Sequence, residues 1–336
     1  MRVFFTVLFI AGGCSAVPPP PSAPPPSAAP PSTSASSDNT SPSAASPSAL
    51  APRPRCSTTP IEIGRLKDVE LNEISGVAES TKRSEVLFVH NDSGDSPRFF
   101  AINRAGDILA ELTLESVPLL IDAEDITVGR GPGGASFIYL GDTGNNFASM
   151  GWGIPRRKAV LYRIPEPEIP TSARHLKIPV REAFPIVFTF PRGARDVEAF
   201  FIEPQSGDLF MIGKQPDGHS QVLTASAGML AAGGGELTLL GELRFGKEPL
   251  SGSPMPTSAS ISKDGKSILV RTYSSVFLFH RAAGEPVLTA LSKAPLSLAS
   301  PQESQGEAIG WVDQDAAFVT ISEGVKPAIN CVAIPR

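Results

Sequence analysis

The sequence predicts an all-β fold, a single β-propeller of five four-stranded blades, and three observations lead to that prediction. Residues 56–336 contain no long stretch with apolar residues at the spacing of an amphipathic helix. Short β-branched and aromatic runs, separated by Gly, Asp, Ser and Pro, recur in groups of four. The last group lacks one run, and a strand-like segment at the front, residues 58–66, is available to complete it.

The repeating units align in chain order. The first reads ISGVAES, EVLFVHNDSGD, RFFAINRAG and DILAELTL, and the second reads EDITVGRG, SFIYLGDTGNN, AVLYRIPEP and FPIVFTF. The third reads EAFFIEPQSG, DLFMIGKQPDG, QVLTASAG and LTLLGELRF. The fourth reads SASISKDG, KSILVRTYS, VFLFHRAAG and either PVLTALS or APLSLAS, and the last has only EAIGWVDQD, AAFVTISEG and AINCVAIPR. Four-stranded units repeated in this way are the sequence mark of a β-propeller.

Two alternatives stay open at the level of sequence. A sixth blade is compatible with the chain, because the unit at 122–195 is long and the region 228–256 has room for further strands. A pair of β-sandwiches is the competing architecture, but it does not predict a closing strand from the far end of the chain. Closure of the ring by residues 58–66 would remove a free sheet edge.

The two cysteines at the ends of this domain support the same closure. Cys56 lies just before the segment 58–66, and Cys331 lies in the last strand-like run, its predicted neighbour. Disulfides persist in exported proteins. We therefore predict a Cys56–Cys331 disulfide, with two buried free thiols as the alternative.

The N-terminal 55 residues have a different composition from the rest of the chain. Residues 1–13 have a charged start, a short apolar run and small residues, as in a secretory signal peptide. The stretch Ala11-Gly12-Gly13-Cys14 resembles the lipobox of bacterial lipoproteins, which implies a lipid on Cys14; a chance cysteine is the alternative. Residues 14–55, rich in Pro, Ser and Ala, predict a disordered tether before the domain 56–336. The predicted location is the bacterial cell envelope, anchored to a membrane and facing the periplasm or the surface.

The charge of the chain limits its partners. The net charge is −5 with no basic concentration, which argues against a nucleic-acid partner. We expect a monomer that contacts the membrane through its lipid and binds an unidentified small ligand or protein.

Acidic residues recur just before or within the first strand of the units. In a propeller the first strands line the central channel, so these side chains are predicted at one mouth, with the ends of the second strands nearby. The candidate ligand-binding residues are Glu73, Asn91, Asp92, Glu124, Asp142, Asn145, Asp196, Glu198, Lys214, Arg271 and Glu307. Converging carboxylates repel one another and need a compensating positive charge. Either Ca²⁺, which prefers oxygen ligands, or Lys214 and Arg271 could supply it. Alternatively, the acids accept backbone N–H bonds and fix the turns.

Evidence for catalysis is weaker. No serine lies in a Gly-x-Ser-x-Gly elbow. His90, Asp92 and Glu124 are the candidate acid–base group, and Glu124, Asp142 and Glu198 are the candidates for a carboxylate-only mechanism. Trp152 is followed by three basic residues, Arg156, Arg157 and Lys158. It either forms the edge of a binding site or simply packs against a blade.

The first two units resemble exported bacterial propellers of the SdiA-regulated (YjiK-like) family. The resemblance lies in Ile74-Ser75-Gly76-Val77, then LFVHND at 87–92, a Gly-Asp turn before ILAEL, and DAEDI at 122–126. It covers roughly residues 70–145. It implies a propeller with calcium bound in it, with metal ligands at Glu73, Asp92, Glu124 and Asp142. The equivalent position of Glu198 in the third unit adds this residue to the candidate ligands.

Taken together, these observations predict a membrane-anchored exported lipoprotein. Its propeller would act as a binding or scaffold module with an acidic, calcium-binding mouth. The alternative function is a hydrolase of phosphoesters, lactones or glycosides that uses the same carboxylates.

Overall fold

The computed structural model describes residues 55–145, 155–193, 195–215, 219–245 and 254–335. The predicted signal peptide, the lipidation site Cys14, nearly all of the predicted tether and the Trp152 loop lie outside these residues. Within the described part of the chain, the strands form five small sheets arranged as a five-bladed β-propeller. The predicted fold class is confirmed, and no sixth blade is found among these residues.

The first two blades follow the predicted units. The strand β1 (Ile61–Arg65) comes first in the chain and belongs to the last blade. Blade one contains β2 (Ile74–Glu79), β3 (Val86–Asn91), β4 (Arg98–Asn103) and β5 (Ile108–Leu114). Blade two contains β6 (Ala123–Arg130), β7 (Ser136–Asp142), β8 (Lys158–Pro165) and β10 (Phe184–Thr189), while β9 (Leu176–Val180) lies between the last two in sequence.

The other three blades complete the ring. Blade three contains β11 (Val197–Ile202), β12 (Leu209–Gly213), β13 (His219–Ala225) and β15 (Thr238–Arg244). The connection between the last two carries a helix, α1 (Ala227–Ala231), and β14 (Gly234–Glu236). Blade four contains β16 (Pro256–Ile261), β17 (Ser267–Thr272), β18 (Val276–His280) and β19 (Leu296–Leu298), with α2 (Val287–Leu291) before its last strand. Blade five contains β20 (Gly306–Val312), β21 (Ala317–Ser322), β22 (Ala328–Ala333) and β1.

The ring closes as predicted. The strand β1 pairs antiparallel with β22, with Ile61 opposite Cys331. Cys56 and Cys331 form a disulfide, with a Cα–Cα distance of 5.3 Å across a sequence separation of 275. The front of the domain is therefore joined to its end both by a ladder of hydrogen bonds and by a covalent bond.

Two blades have a fifth strand that the sequence did not predict. The strand β9 leaves blade two and pairs parallel with β5 of blade one. The strand β14 leaves blade three and pairs parallel with β10 of blade two. Each exchange ties a blade to its predecessor at the outer edge. In blade four, APLSLAS supplies the fourth strand, because VLTAL within the rival stretch PVLTALS is helical.

The core consists of five hydrophobic clusters, each between two neighbouring blades. The inner strands β2 and β20 are buried along their whole length, because both of their faces pack against neighbouring blades. Their sequences, ISGVAE and GEAIGWV, therefore show no strict alternation of apolar and polar residues. The inner strands also contact one another around the ring, which places their first residues at one end of a central channel.

Candidate functional site

A β-bulge recurs at the same place in the inner strand of every blade. In each blade the pairing between the first and second strands shifts by one residue close to the start of the first strand. The extra residue of a bulge is left out of the ladder and its side chain is re-aimed. The five bulged residues, in blade order, are Ser75, Glu124, Glu198, Thr257 and Glu307.

This register refines the predicted alignment of the glutamates. Glu124, Glu198 and Glu307 are equivalent, as the sequence predicted. Glu73 lies two residues before the bulged Ser75, in the position that Asp122 has before Glu124. Glu73 is therefore offset from the other three, although it lies at the same end of the channel.

Two more sets of equivalent positions lie next to the bulges. In four blades the residue that follows the second strand donates its backbone N–H to the residue two positions before the bulge, as Asp92 does to Glu73 at 2.7 Å and Lys214 does to Asp196 at 2.9 Å. This repeat brings further acids to the same end. The eight carboxylates that we call the acidic mouth are Glu73, Asp92, Asp122, Glu124, Asp196, Glu198, Glu307 and Glu323. Blade four contributes no acid at its three equivalent positions, which are Met255, Thr257 and Tyr273.

Glu124 lies at the centre of the acidic mouth. Oxygens of Asp92, Asp122 and Glu124 all lie within 4.8 Å of one another, and so do oxygens of Glu124, Asp196 and Glu198. Side chains from blades one, two and three therefore meet at one carboxylate. The backbone of Gly144 packs directly against Glu124 and Asp122, and a Cβ at this position would collide with both carboxyl groups.

Burial and mutual repulsion raise the pKa values of several carboxylates of the acidic mouth. Burial, followed by the charges of Glu198 and Asp92, raises the pKa of Glu124 well above its usual value. Burial and the charge of Asp122 raise the pKa of Asp92 to about 7. Burial raises the pKa of Glu307 to about 8, although Lys214 acts in the opposite direction. Without a cation, the mouth therefore retains protons near neutral pH.

Lys214 is the cation that faces these carboxylates. Its Nζ bonds to the carboxylate of Glu198 and lies 5.0 Å from the ring centroid of Tyr273. Burial lowers the pKa of Lys214, but the attraction of Glu198 outweighs this effect and the net pKa is raised. One ammonium group balances only one of several buried carboxylates.

Arg271 and the nearby Arg156 have partners of their own. The side chain of Arg271 is 1% exposed and bonds to Glu303 and to the carbonyl oxygen of Ala308, which ties blade four to blade five. Arg156 Nη1 lies 2.8 Å from Asp142 Oδ1. Arg271 therefore acts mainly as an inter-blade tie, with a weaker electrostatic effect on the acidic mouth.

Glu307 is the member of the acidic mouth that has no local partner. It is 7% exposed, and within the described residues its carboxylate forms no hydrogen bond and no ion pair. The charges of Lys214 and Arg271 lower its pKa, whereas the charges of Glu323 and Asp92 raise it. A buried carboxylate without a hydrogen-bond donor is energetically costly unless it is protonated or binds a ligand.

Three of the predicted site residues support the acidic mouth from outside. Asp142 Oδ1 accepts the N–H of Asp122 at 3.0 Å, and the backbone N–H of Asn145 donates to Asp196 at 2.8 Å. Asn91 donates to the carbonyl oxygen of Glu70 at 2.7 Å and fixes the loop before blade one. These hydrogen bonds position the acids and the loops around them.

His90 lies apart from the carboxylates with which the sequence grouped it. Its ring is completely buried beneath Gly76, and its Nδ1 lies 2.8 Å from the carbonyl oxygen of Asn91. Burial lowers its pKa to about 4. Asp92 and Glu124 do approach each other, but their common cluster contains Asp122 rather than His90.

Below the acidic mouth, Asp125 links three blades. It accepts hydrogen bonds from Ser258 Oγ at 3.1 Å and from the backbone N–H groups of Phe200 and Ala259, both at 3.3 Å. Burial raises its pKa well above the usual value. Its three inter-blade bonds indicate a structural role in the channel.

Sequence reasoning missed Asp122, Glu323 and Tyr273 as members of the site. Glu323 follows the second strand of blade five, as Asp92 and Lys214 follow the second strands of blades one and three. An alignment of the second strands rather than of the glutamates would have identified it. Asp122 stands in the quoted DAEDI motif, but its position relative to the bulge is visible only in the strand register.

Comparison of the chain with protein-family models and with curated proteins found no match. Among the described residues, no helix has the length and apolar character needed to cross a membrane.

Proposed function

We propose that the protein is a binding module whose acidic mouth binds Ca²⁺. The observation that carries the proposal is the convergence of carboxylates from blades one, two and three on Glu124. The buried carboxylate of Glu307, which has no hydrogen-bond or ion-pair partner among the described residues, adds to the uncompensated charge. A bound divalent cation would supply the missing positive charge. It would also allow the neighbouring carboxylates to ionise.

The carboxylate clusters suit a calcium ion. Ca²⁺ takes 6–8 oxygen ligands at about 2.3–2.6 Å, so its ligand oxygens lie at most about 5 Å apart. The two clusters that share Glu124 have their oxygens within 4.8 Å of one another. Glu124 would be the common ligand, with Asp92 and Asp122 on one side and Asp196 and Glu198 on the other.

The test is thermal unfolding of chelator-treated protein with and without added Ca²⁺. A ligand present at a hundred times its Kd stabilises the folded state by about 2.7 kcal/mol. For a domain of this size, that corresponds to a rise in Tm of about 5–10 °C. No rise with Ca²⁺, together with no loss in chelator, would reject the proposal.

The anchoring of the module is a separate proposal. A lipid on Cys14 and a tether of Pro, Ser and Ala would hold the propeller at a membrane of the bacterial cell envelope. Polyproline II segments extend by about 3.1 Å per residue, so the tether would keep the propeller away from the bilayer. Membrane fractionation of wild type and Cys14→Ala tests this, and equal partitioning of the two proteins would refute it.

Hydrolysis of a phosphoester, lactone or glycoside at the same mouth is the second candidate. The proximity of Asp92 to Glu124 favours it, because the pKa of Asp92 is about 7 and suits a general acid near neutral pH. The test is a substrate panel on wild type and Glu124→Gln, with and without Ca²⁺. Equal background rates in both proteins would eliminate this candidate.

A further inference from the structure

A cavity of about 310 Å³ lies between blades two and three, away from the acidic mouth. It is lined by the loop after β6, by the loop after β11 and by α1, and the first two of these loops follow the far ends of inner strands. We call it the arginine pocket because Arg130 and Arg163 both line it.

The strand register of blade two builds one wall of the arginine pocket. Arg163 on β8 lies opposite Tyr139 on β7 and opposite Phe184 on β10, so the three side chains form a row on one face of the sheet. The guanidinium of Arg163 lies 5.7 Å from the ring centroids of both Phe137 and Phe184. These aromatic contacts hold the cation in place before any ligand arrives.

The charges of the arginine pocket are all positive. None of its described lining residues is Asp or Glu. The hydrogen bonds of both arginines in the described structure go to backbone carbonyl oxygens, from Arg130 to Gln205 at 3.2 Å and from Arg163 to Leu230 at 3.3 Å. The Nε of Arg163 is buried and has no hydrogen-bond partner there. Each guanidinium therefore has further donors that its backbone hydrogen bond does not use.

We propose that the arginine pocket binds the phosphate group of a small phosphate monoester. Two guanidinium groups match the double negative charge of a phosphate monoester, and their forked donors suit its oxygens. Ala227, Leu230 and Ala231 add an apolar wall for a compact substituent. The cavity is at the small end of the range of about 300–1,000 Å³ for ligand pockets, so the substituent is small. This site does not depend on Ca²⁺ at the acidic mouth.

Calorimetric titration of phenyl phosphate into the full chain, in buffer without divalent cations, tests the proposal. We expect saturable binding of one equivalent, weakened by salt, with benzoate binding at least tenfold more weakly and inorganic phosphate in between. Absence of saturable binding, or equal affinity for benzoate and phenyl phosphate, would overturn the proposal.

Two variants locate the binding site. Arg130 is exposed, so Arg130→Met should lower the affinity for phenyl phosphate at least tenfold while leaving Tm unchanged. Arg163→Lys keeps the positive charge but loses the forked guanidinium donors, and it should weaken the binding of phenyl phosphate. The matched control is Arg192→Met, which changes an exposed arginine outside the lining. Unchanged affinity in Arg130→Met contradicts the assignment, whatever the stability of the Arg163 variant.

Discussion

At the residue scale, the acidic mouth depends on three glutamates that lie at β-bulges of the inner strands. A bulge removes Glu124, Glu198 and Glu307 from the strand ladder and directs them to the end of the channel. The sequence predicted this set correctly because the three share a short motif before an apolar run. It misplaced Glu73 by two residues, because the position of a bulge depends on pairing with the second strand.

Replacing the unpartnered glutamate tests the cation site directly. In Glu307→Gln we expect the Ca²⁺-dependent rise in Tm to shrink, with the Kd for Ca²⁺ at least tenfold weaker, because one buried negative charge is lost. Metal-free Glu307→Gln should be at least as stable as the metal-free wild type at pH 8, because the costly buried charge is gone. Differential scanning calorimetry with and without Ca²⁺ measures both effects.

The control for that variant is Glu242→Gln. Glu242 is exposed on β15 and accepts a bond from Gln221 at 3.0 Å, outside the acidic mouth. It should respond to Ca²⁺ as the wild type does. Equal responses of Glu242→Gln and Glu307→Gln would mean that Glu307 has no part in cation binding.

Lys214 should act as an internal counter-ion that competes with Ca²⁺. In Lys214→Met, Glu198 loses its ammonium partner, so the metal-free protein should unfold at a lower temperature. Added Ca²⁺ should restore more stability to this variant than to the wild type, since one more uncompensated carboxylate faces the ion. A smaller Ca²⁺ response than in the wild type would show instead that Lys214 helps to form the binding site.

At the element scale, the strands that connect the blades differ in how far the sequence could predict them. The closing strand β1 was visible in the sequence, because an apolar run with a flanking cysteine stood at each end of the domain. The exchanged strand β14 was not, because Gly-Gly-Glu has no β propensity and pairs through its backbone alone. The choice between α2 and β19 also required the structure, because both stretches are short and apolar.

Removal of the disulfide tests the closure. In the double variant Cys56→Ser, Cys331→Ser we expect the free energy of unfolding to fall by about 2–5 kcal/mol, because the unfolded chain gains the freedom of a very long loop. The fold should persist, since β1 keeps its hydrogen bonds to β22. Urea unfolding of oxidised wild type and variant measures the difference.

The wild type under a reducing agent is the matched control for the disulfide. It should approach the stability of the double variant. A double variant as stable as the oxidised wild type would show that the strand pairing alone closes the ring.

At the scale of the whole molecule, the acidic mouth and the arginine pocket lie at opposite ends of the inner strands. The eight carboxylates of the acidic mouth lie near the starts of the inner strands, and the arginine pocket lies beside the loops that follow the ends of β6 and β11. The sequence predicted the acidic end because a propeller brings the starts of its inner strands together. It did not predict the arginine pocket, because Arg130 and Arg163 come from different strands and meet a helix of another blade.

The raised pKa values of several acids of the mouth predict how the stability of the metal-free protein depends on pH. Acids whose pKa is higher in the folded state bind more protons there than in the unfolded chain, so stability falls as pH rises from about 4 to about 8. His90 acts in the opposite sense, because its lowered pKa costs stability as pH falls from 6.5 towards 4. Several acids outweigh this single histidine above pH 6.

Thermal unfolding between pH 6 and 8 checks this dependence. We expect the Tm of the chelator-treated protein to fall across this interval, and saturating Ca²⁺ to flatten the profile. A rising metal-free profile would show that the mouth carboxylates are already compensated in the folded protein.

Calorimetric titration of Ca²⁺ into chelator-treated protein at pH 7 is the decisive test of whether the acidic mouth binds Ca²⁺. The experiment is run in two buffers of different ionisation enthalpy, which reports the protons exchanged on binding. The account predicts saturable binding with release of protons, because the acids of the mouth must ionise to hold the ion. Titrations that show only heats of dilution in both buffers, or binding that is unchanged in Glu307→Gln, would contradict it.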